Sequence, residues 1–203
     1  MRPKLHTVCN SIYLALLICA LIRCALAGDI LYEDDFTNLD PSWGTPGDIL
    51  SVKNGNLVLK PAVNTTQSVI NESNVFEDAD IQLNVRLSGG DPSIPGGLIF
   101  WARDYTNFYC FSIAANRSFK ISHFVMDRWL TPIGWTISSA INAGIGQVNK
   151  LRVVTRGRQA IAYINDKEVV TINGQPPQGG GCVGVSGGSA QDAKNTWEFA
   201  SLR

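Results

Sequence analysis

The sequence predicts an all-β domain made of two packed antiparallel sheets. Short runs of apolar and β-branched residues recur roughly every ten residues, and clusters of Gly, Pro, Asn and Asp separate them. No segment of the mature chain carries the apolar period of an α-helix of any length. A chain of about a dozen such strands is typical of a sandwich, because each sheet must bury one face against another.

Residues 1–27 are predicted to be a secretory signal peptide. Two basic residues precede an apolar run at 12–22, and Ala-Leu-Ala at 25–27 forms a small-residue cleavage site. The apolar run is too short to span a bilayer, so a retained membrane anchor is the minor alternative. The mature protein is therefore expected to be a single β-sandwich domain at 28–203, periplasmic or secreted, with no membrane insertion after processing.

The charge of the mature chain argues against nucleic acid as a partner. Three of the 17 Lys and Arg residues lie in the signal peptide, which leaves 14 against 17 Asp and Glu residues and a net charge of −3. A binding surface for nucleic acid or for an anionic membrane needs an excess of basic residues. The predicted partner is instead a saccharide or another extracytoplasmic ligand.

Turn signals divide the mature chain into its strands. Asn54-Gly55 is the strongest two-residue hairpin signal, and 104–107, 156–158 and 165–167 are polar or Gly-containing turns. The residues around Trp129 and Trp135, which include Pro132 and Gly134, are predicted to be a loop whose indoles either bind a ligand or cover the rim of the core. The predicted strands cover 49–53, 56–60, 68–75, 79–87, 96–103, 108–115, 119–125, 149–155, 159–164, 168–172, 182–186 and 196–202.

The segment 96–115 is predicted to be the central hairpin of the domain. Pairing across a four-residue loop at 104–107 sets Trp101 opposite Cys110 and Phe100 opposite Phe111. Side chains alternate faces along a strand, so one face is a core and the other is only partly covered. The core face collects Leu98, Phe100, Ala102, Tyr109, Phe111 and Ile113, and the partly covered face collects Ile99, Trp101, Arg103, Phe108, Cys110 and Ser112.

The order of several segments resembles a known superfamily. These segments are DDF, NGNLVLKP, GLIFWARDYTNFYCFSI, NKLRVVTRGRQAIAYINDKEVV, GCVGVSGG and a closing WEF. Together they resemble the concanavalin A-like lectin/glucanase superfamily, and within it bacterial laminin G-like modules related to 3-keto-disaccharide hydrolase, or family 16 glycoside hydrolase-like, domains. The resemblance implies a jelly-roll sandwich and suggests a hydrolase as one possible function.

The residues that catalysis would need are not assigned from the sequence. Sandwich glucanases of that superfamily carry E-x-D-x-x-E on one strand, and this chain lacks the motif. Asp78 and Asp80 share a strand face, as a glycosidase pair requires, but a solvated turn is the favoured interpretation. The segment 184–188 fits G-x-S-x-G, but His123 precedes it and no helix follows, so a nucleophile elbow is not expected.

Metal and disulfide sites are weaker predictions. A lone histidine gives no zinc spacing, and His123 is predicted to lie on the sheet surface. No cofactor is assigned. A structural calcium ion near Asp34, Asp35 and Glu198 is possible chemically, although charged surface positions are the favoured interpretation. Cys110 and Cys182 form either a disulfide, if their strands are neighbours, or two buried thiols.

Two classes of function follow, and a third stays open. The first is an exported, non-catalytic module that binds carbohydrate on the open face of one sheet, since indole stacks on sugar rings and guanidinium and amide groups bind hydroxyls. The second is a glycoside hydrolase of the 3-keto-disaccharide type. The third is a structural module whose open face meets another protein. The predicted ligand-binding residues are Asn84, Arg86, Trp101, Arg103, Trp129 and Trp135.

Overall fold

A computed structural model describes residues 29–203, and Tyr32–Arg203 form one compact unit. The predicted signal peptide lies outside the described residues. Within 29–203, no helix has the length and apolarity needed to cross a membrane. The elements are a short 3-10 helix Pro41–Trp43 and the strands β1 Leu50–Val52, β2 Leu57–Leu59, β3 Thr66–Phe76, β4 Asp80–Gly89, β5 Gly96–Asp104, β6 Asn107–Ala114, β7 Ser118–Val125, β8 Arg128–Ile137, β9 Val148–Arg156, β10 Gln159–Ile164, β11 Lys167–Asn173, β12 Gly181–Gly188 and β13 Thr196–Ala200.

The strands form two antiparallel sheets that pack face to face, which confirms the predicted sandwich. The seven-stranded sheet has the order β1-β2-β13-β4-β9-β10-β11, and the six-stranded sheet has the order β3-β12-β5-β6-β7-β8. Apolar residues from the inner faces of both sheets fill one core. The alternation predicted for β4 is present: Leu83 and Val85 are buried, whereas Asn84 and Arg86 face outward.

Turn chemistry explains both a confirmed hairpin and a missed one. Asn54 (φ 52°) and Gly55 (φ 69°) take the left-handed conformation of a type I′ turn, with β1 and β2 paired on either side. Met126 (φ 51°) and Asp127 (φ 58°) take the same conformation between β7 and β8. The loop predicted around Trp129 and Trp135 is therefore wrong, because this turn pairs the segment with β7 as an edge strand. Pro132 is compatible with this strand because an edge strand tolerates proline.

The central hairpin has a different register from the predicted one. Phe100 pairs with Tyr109, and Asp104 pairs with Asn107 across a two-residue loop. The register shifts between Phe100 and Asp104, where Trp101 has φ 49°. A bulge of this kind interrupts the alternation of faces, so the indole of Trp101 turns into the core and Ala102 turns outward. The prediction that Trp101 lies on the partly covered face is wrong.

The two cysteines among residues 29–203, Cys110 and Cys182, do not form a disulfide, and both are free and buried. Cys110 lies in β6 and Cys182 in β12, and β5 runs between these strands. Two strand spacings separate the residues by about 10 Å, which exceeds the Cα distance of roughly 7 Å that a disulfide can span. The predicted pairing fails on topology, and the alternative of two buried thiols holds.

Candidate functional site

The six predicted ligand-binding residues do not lie on one surface. Two belong to the outer face of the seven-stranded sheet, one is buried, and three belong to the six-stranded sheet. Ligand binding by each of them stays a prediction, but they cannot act as one site. The positions are Asn84 and Arg86 in β4, Trp101 in the core, Arg103 at the end of β5, and Trp129 and Trp135 in β8.

The two tryptophans of β8 are half exposed and have neighbours from adjacent strands. Trp129 contacts Phe124 with ring centroids 4.9 Å apart and Phe108 with centroids 5.7 Å apart. The ammonium of Lys120 lies 5.0 Å from the centroid of a Trp135 ring. These contacts hold both indoles on the outer face of the six-stranded sheet, at its edge.

A cleft of about 690 Å³ lies beside Arg103, at one end of the six-stranded sheet. We call it the Arg103 cleft. Its lining combines a guanidinium, three primary amides and small or apolar residues, and none of the eleven lining residues is acidic. The lining consists of Val75, Ala102, Arg103, Asn107, Cys182 and the loop 175–180.

Two β-bulges shape the Arg103 cleft. The bulge in β5 carries Trp101 into the core and leaves Ala102 to line the cleft. The pairing of β12 also shifts between Gly181 and Val183, directly after Gly180 at φ 98°. A Cβ on Gly181 would lie 2.7 Å from the Cα of Trp101, so the two strands meet more closely than a larger residue permits. Bulges bend a strand and redirect its side chains, and they are frequent beside functional sites.

A buried aromatic pair holds two of the amide-bearing positions of the cleft. The Nε2 atom of His123 lies 3.0 Å from Oδ1 of Asn107. The His123 ring stacks on Tyr109 with centroids 3.9 Å apart, and the Tyr109 hydroxyl accepts a hydrogen bond of 3.0 Å from the Gln175 backbone N–H. Two walls of the cleft are thereby tied to one core stack.

His123 is buried, so its predicted place on the sheet surface is wrong. The inner face of β7 carries Phe119, Ile121 and His123 in alternation, and the ring of His123 fills the space next to Tyr109. Burial lowers the pKa of His123 below its usual value. The imidazole is therefore favoured in its neutral form, which suits a packed ring better than a charged base.

The thiols near the cleft are poor nucleophiles. Burial, with a smaller contribution from the charge of Glu72, raises the pKa of Cys182. Burial raises the pKa of Cys110 to about 11. A thiol reacts as its thiolate, so neither residue is activated near neutral pH.

The acidic residues considered for glycoside hydrolysis have other partners. Both carboxylate oxygens of Asp80 bind the guanidinium of Arg152, at 2.7 and 2.5 Å. Asp78 accepts a hydrogen bond of 2.7 Å from the Gly157 N–H. The pair thus anchors the start of β4 to β9 and to the turn after it. Ser186 lies inside β12 and not at a strand-to-helix turn, so the G-x-S-x-G segment is not a nucleophile elbow.

The carboxylates considered for calcium do not converge. Asp34 accepts hydrogen bonds of 2.8 Å from the indole N–H of Trp43 and from the backbone N–H of Phe36. Asp35 accepts from Thr37, and Glu198 pairs with Arg86. Within residues 29–203, no group of three or more His, Cys, Asp or Glu side chains is placed to hold a metal ion.

Comparison with known proteins identifies the fold. No protein-family model and no curated protein matches the chain. Among solved structures, the chain is similar to the carbohydrate-binding module CBM66 from Bacillus subtilis, with a TM-score of 0.54 and 16% identity over 68% of this chain and 81% of that one. It is also similar to the catalytic domain of an endo-1,3-beta-glucanase (laminarinase) from Thermotoga petrophila RKU-1, with a TM-score of 0.59 and 10% identity over 86% and 97%. A beta-glucanase from Bacillus licheniformis gives a TM-score of 0.59 and 11% identity over 85% and 96%.

The fold is a concanavalin A-like jelly roll. This confirms the jelly-roll fold that the sequence resemblance implies. The concanavalin A-like jelly roll is shared by a binding module and by hydrolases, so the fold leaves binding and catalysis equally open. The chemistry of the cleft must distinguish them.

Sequence reasoning missed three residues of the Arg103 cleft in this concanavalin A-like jelly roll. Asn107, Gln175 and Gln178 line it, and Arg103 is the one lining residue that was among the predicted ligand-binding residues. The segment Gln-Pro-Pro-Gln at 175–178 lies between the predicted strands 168–172 and 182–186. Two planar amides on a proline-stiffened loop are a usable signal for ligand binding, since loops held by a rigid scaffold often carry function.

Proposed function

We propose that the protein is an exported, non-catalytic carbohydrate-binding domain and that its ligand occupies the Arg103 cleft. The composition of the cleft lining supports this proposal, because the lining offers planar hydrogen-bonding groups and no carboxylate. Guanidinium and amide groups bind sugar hydroxyls as donors or acceptors. Glycoside hydrolysis of the usual kind needs two carboxylic acids that flank the scissile bond.

The six strands around the proposed site are poor in acids. Their only acidic residues are Glu72 in β3 and Asp104 in β5. Asp104 accepts hydrogen bonds from the backbone N–H and hydroxyl of Thr106, at 2.7 and 2.6 Å, and these bonds lower its pKa. A carboxyl with a lowered pKa is a poor general acid near neutral pH. These features support binding over a glycoside hydrolase of the 3-keto-disaccharide type.

Arg103 is free to meet a ligand. Its side chain is 72% exposed, and its nearest carboxylate, that of Asp104, lies 3.7 Å away, which is too long for a hydrogen bond. An exposed ion pair of this type is weak, so a sugar can replace it at little cost. Asn107, by contrast, is already held by His123 and has less freedom.

Binding and hydrolysis should be measured on the same protein. The mature domain is tested by calorimetry against laminarin, mixed-linkage β-glucan and xylan, and reducing ends are assayed after prolonged incubation; a 3-keto-glycoside serves as the hydrolase substrate. Arg103→Ala should weaken binding by about 10- to 100-fold, the usual value of a hydrogen bond from a charged group. Arg86→Ala, on the opposite sheet, is the matched control and should leave the affinity unchanged.

Three outcomes would contradict the proposed binding function or its place in the Arg103 cleft. Turnover of the 3-keto-glycoside would make the protein an enzyme. Equal affinities of Arg103→Ala and wild type would place the site elsewhere, and a loss in Arg86→Ala alone would place it on the seven-stranded sheet.

Export is part of the proposal and rests on the cleavage site at 25–27. An intact mass that retains residues 1–27 would contradict export.

A further inference from the structure

A second cleft, of about 490 Å³, lies on the other side of the β5–β6 loop. We call it the Tyr105 cleft. It is formed by Tyr105, by Gln67 and Ser68 of β3, and by Thr45 and Asp48 of the loop before β1. Its polar groups are therefore hydroxyls, an amide and one exposed carboxylate, which can donate hydrogen bonds to sugar hydroxyls or accept them from sugar hydroxyls.

Tyr105 is a rigid but accessible aromatic residue. Its hydroxyl accepts a hydrogen bond of 3.2 Å from the Ile70 N–H of β3. In the sheet, β12 lies between β5 and β3, so this bond links the β5–β6 loop to a strand two positions away from β5. The loop that carries it is held by the two hydrogen bonds from Thr106 to Asp104. The Tyr105 side chain nevertheless remains 46% exposed. A half-exposed ring fixed at its far end loses little freedom when a sugar stacks on it.

The loop that carries Tyr105 adjoins both clefts. It lines one cleft, and Arg103 and Asn107, two residues to either side of it in sequence, line the other. Val69 of the Tyr105 cleft lies opposite Val185, and Phe76, next to Val75 of the Arg103 cleft, lies opposite Gly181. Val185 and Gly181 are four residues apart, so these two positions beside the clefts are about 13 Å apart along the strand. That span is longer than a single sugar ring.

We infer that the ligand is an oligosaccharide that occupies both clefts, with one of its rings stacked on Tyr105 between them. This inference rests on the proposed function and adds the class of ligand and its platform. Affinity should therefore rise with chain length until both clefts are filled. The rise should depend on Tyr105, whereas the binding of the shortest sugars in the Arg103 cleft should not.

The test is a chain-length series. Calorimetry measures wild type, Arg103→Ala, Tyr105→Ala, Tyr105→Phe and Gln67→Ala against laminari-, cello- and xylo-oligosaccharides, from the monosaccharide to the hexasaccharide. Tyr105→Ala should lose about two- to tenfold of the affinity for the long oligomers, the usual contribution of an aromatic stack, and none for the shortest oligomer that binds. Tyr105→Phe keeps the ring and should retain most of the affinity. Gln67→Ala should weaken only the long oligomers.

The outcomes separate the two proposals. If oligomers bind and Arg103→Ala weakens them, but affinity does not change with length, the two-cleft site is wrong and the carbohydrate-binding function stands. If Tyr105→Ala weakens every length equally, Tyr105 belongs to a single short site and the inference is overturned. If no oligomer of the three series binds the wild-type domain, both proposals fail together for glucans and xylans.

Discussion

Replacing Trp101 tests the bulge that builds the Arg103 cleft. Its side chain is 3% exposed and packs on Phe100 and Tyr109, with centroids 5.3 and 5.4 Å away. Emptying such a position by Trp→Ala costs about 3–5 kcal/mol. The indole N–H is buried and has no hydrogen-bond partner among residues 29–203, and losing an unpaired buried donor of this kind recovers about 1–3 kcal/mol. We therefore expect Trp101→Ala to lower the free energy of unfolding by about 2 kcal/mol, the difference between the midpoints of these two ranges.

Two further variants isolate the cause. Trp101→Phe keeps most of the ring and removes the unpaired N–H, so it should change stability by less than about 1 kcal/mol. Trp135→Ala removes an indole that is 51% exposed and should also cost less than about 1 kcal/mol. Urea denaturation followed by circular dichroism measures all three. A cost below about 1 kcal/mol for Trp101→Ala would mean that the indole lies on the outer face, as simple alternation predicts, and would refute the bulge.

Two other predictions concern buried titratable groups. Iodoacetamide added to the unreduced protein should modify no thiol in the folded domain at neutral pH and two after denaturation, because Cys110 and Cys182 are buried and unpaired; no labelling after denaturation would indicate a disulfide. Burial lowers the pKa of His123 in the folded state, so the unfolded chain takes up the proton first, and stability should fall as the pH drops below about 6.5. Protonation of carboxylates adds to this loss at lower pH, so the contribution of His123 is the difference in the free energy of unfolding between wild type and His123→Gln. Equal pH profiles of the two proteins from pH 7 to 5 would contradict this prediction.

Local sequence patterns determined most of the architecture. Asn54-Gly55 favours left-handed backbone at two successive positions, and the turn forms there. The alternation in β4 depends only on which side chains are apolar, and it survives because no bulge interrupts the paired run from Leu83 to Arg86. The sum of such strands, joined by short turns, predicts a two-sheet sandwich without any knowledge of which strands are neighbours.

Only the tertiary structure decided which residues share the candidate site. Cys110 and Cys182 both lie in well-predicted strands, but their separation depends on β5 lying between those strands. The β5 strand follows the alternation of faces as far as Phe100. Trp101 departs from it, because the core next to Tyr109 and Gly174 accommodates its ring. That contact joins residues distant in sequence, so no local pattern encodes it. The Arg103 cleft depends on the same bulge. A shift of one residue in the alternation of faces places Trp101 in the core, although the alternation alone predicts that it binds a ligand.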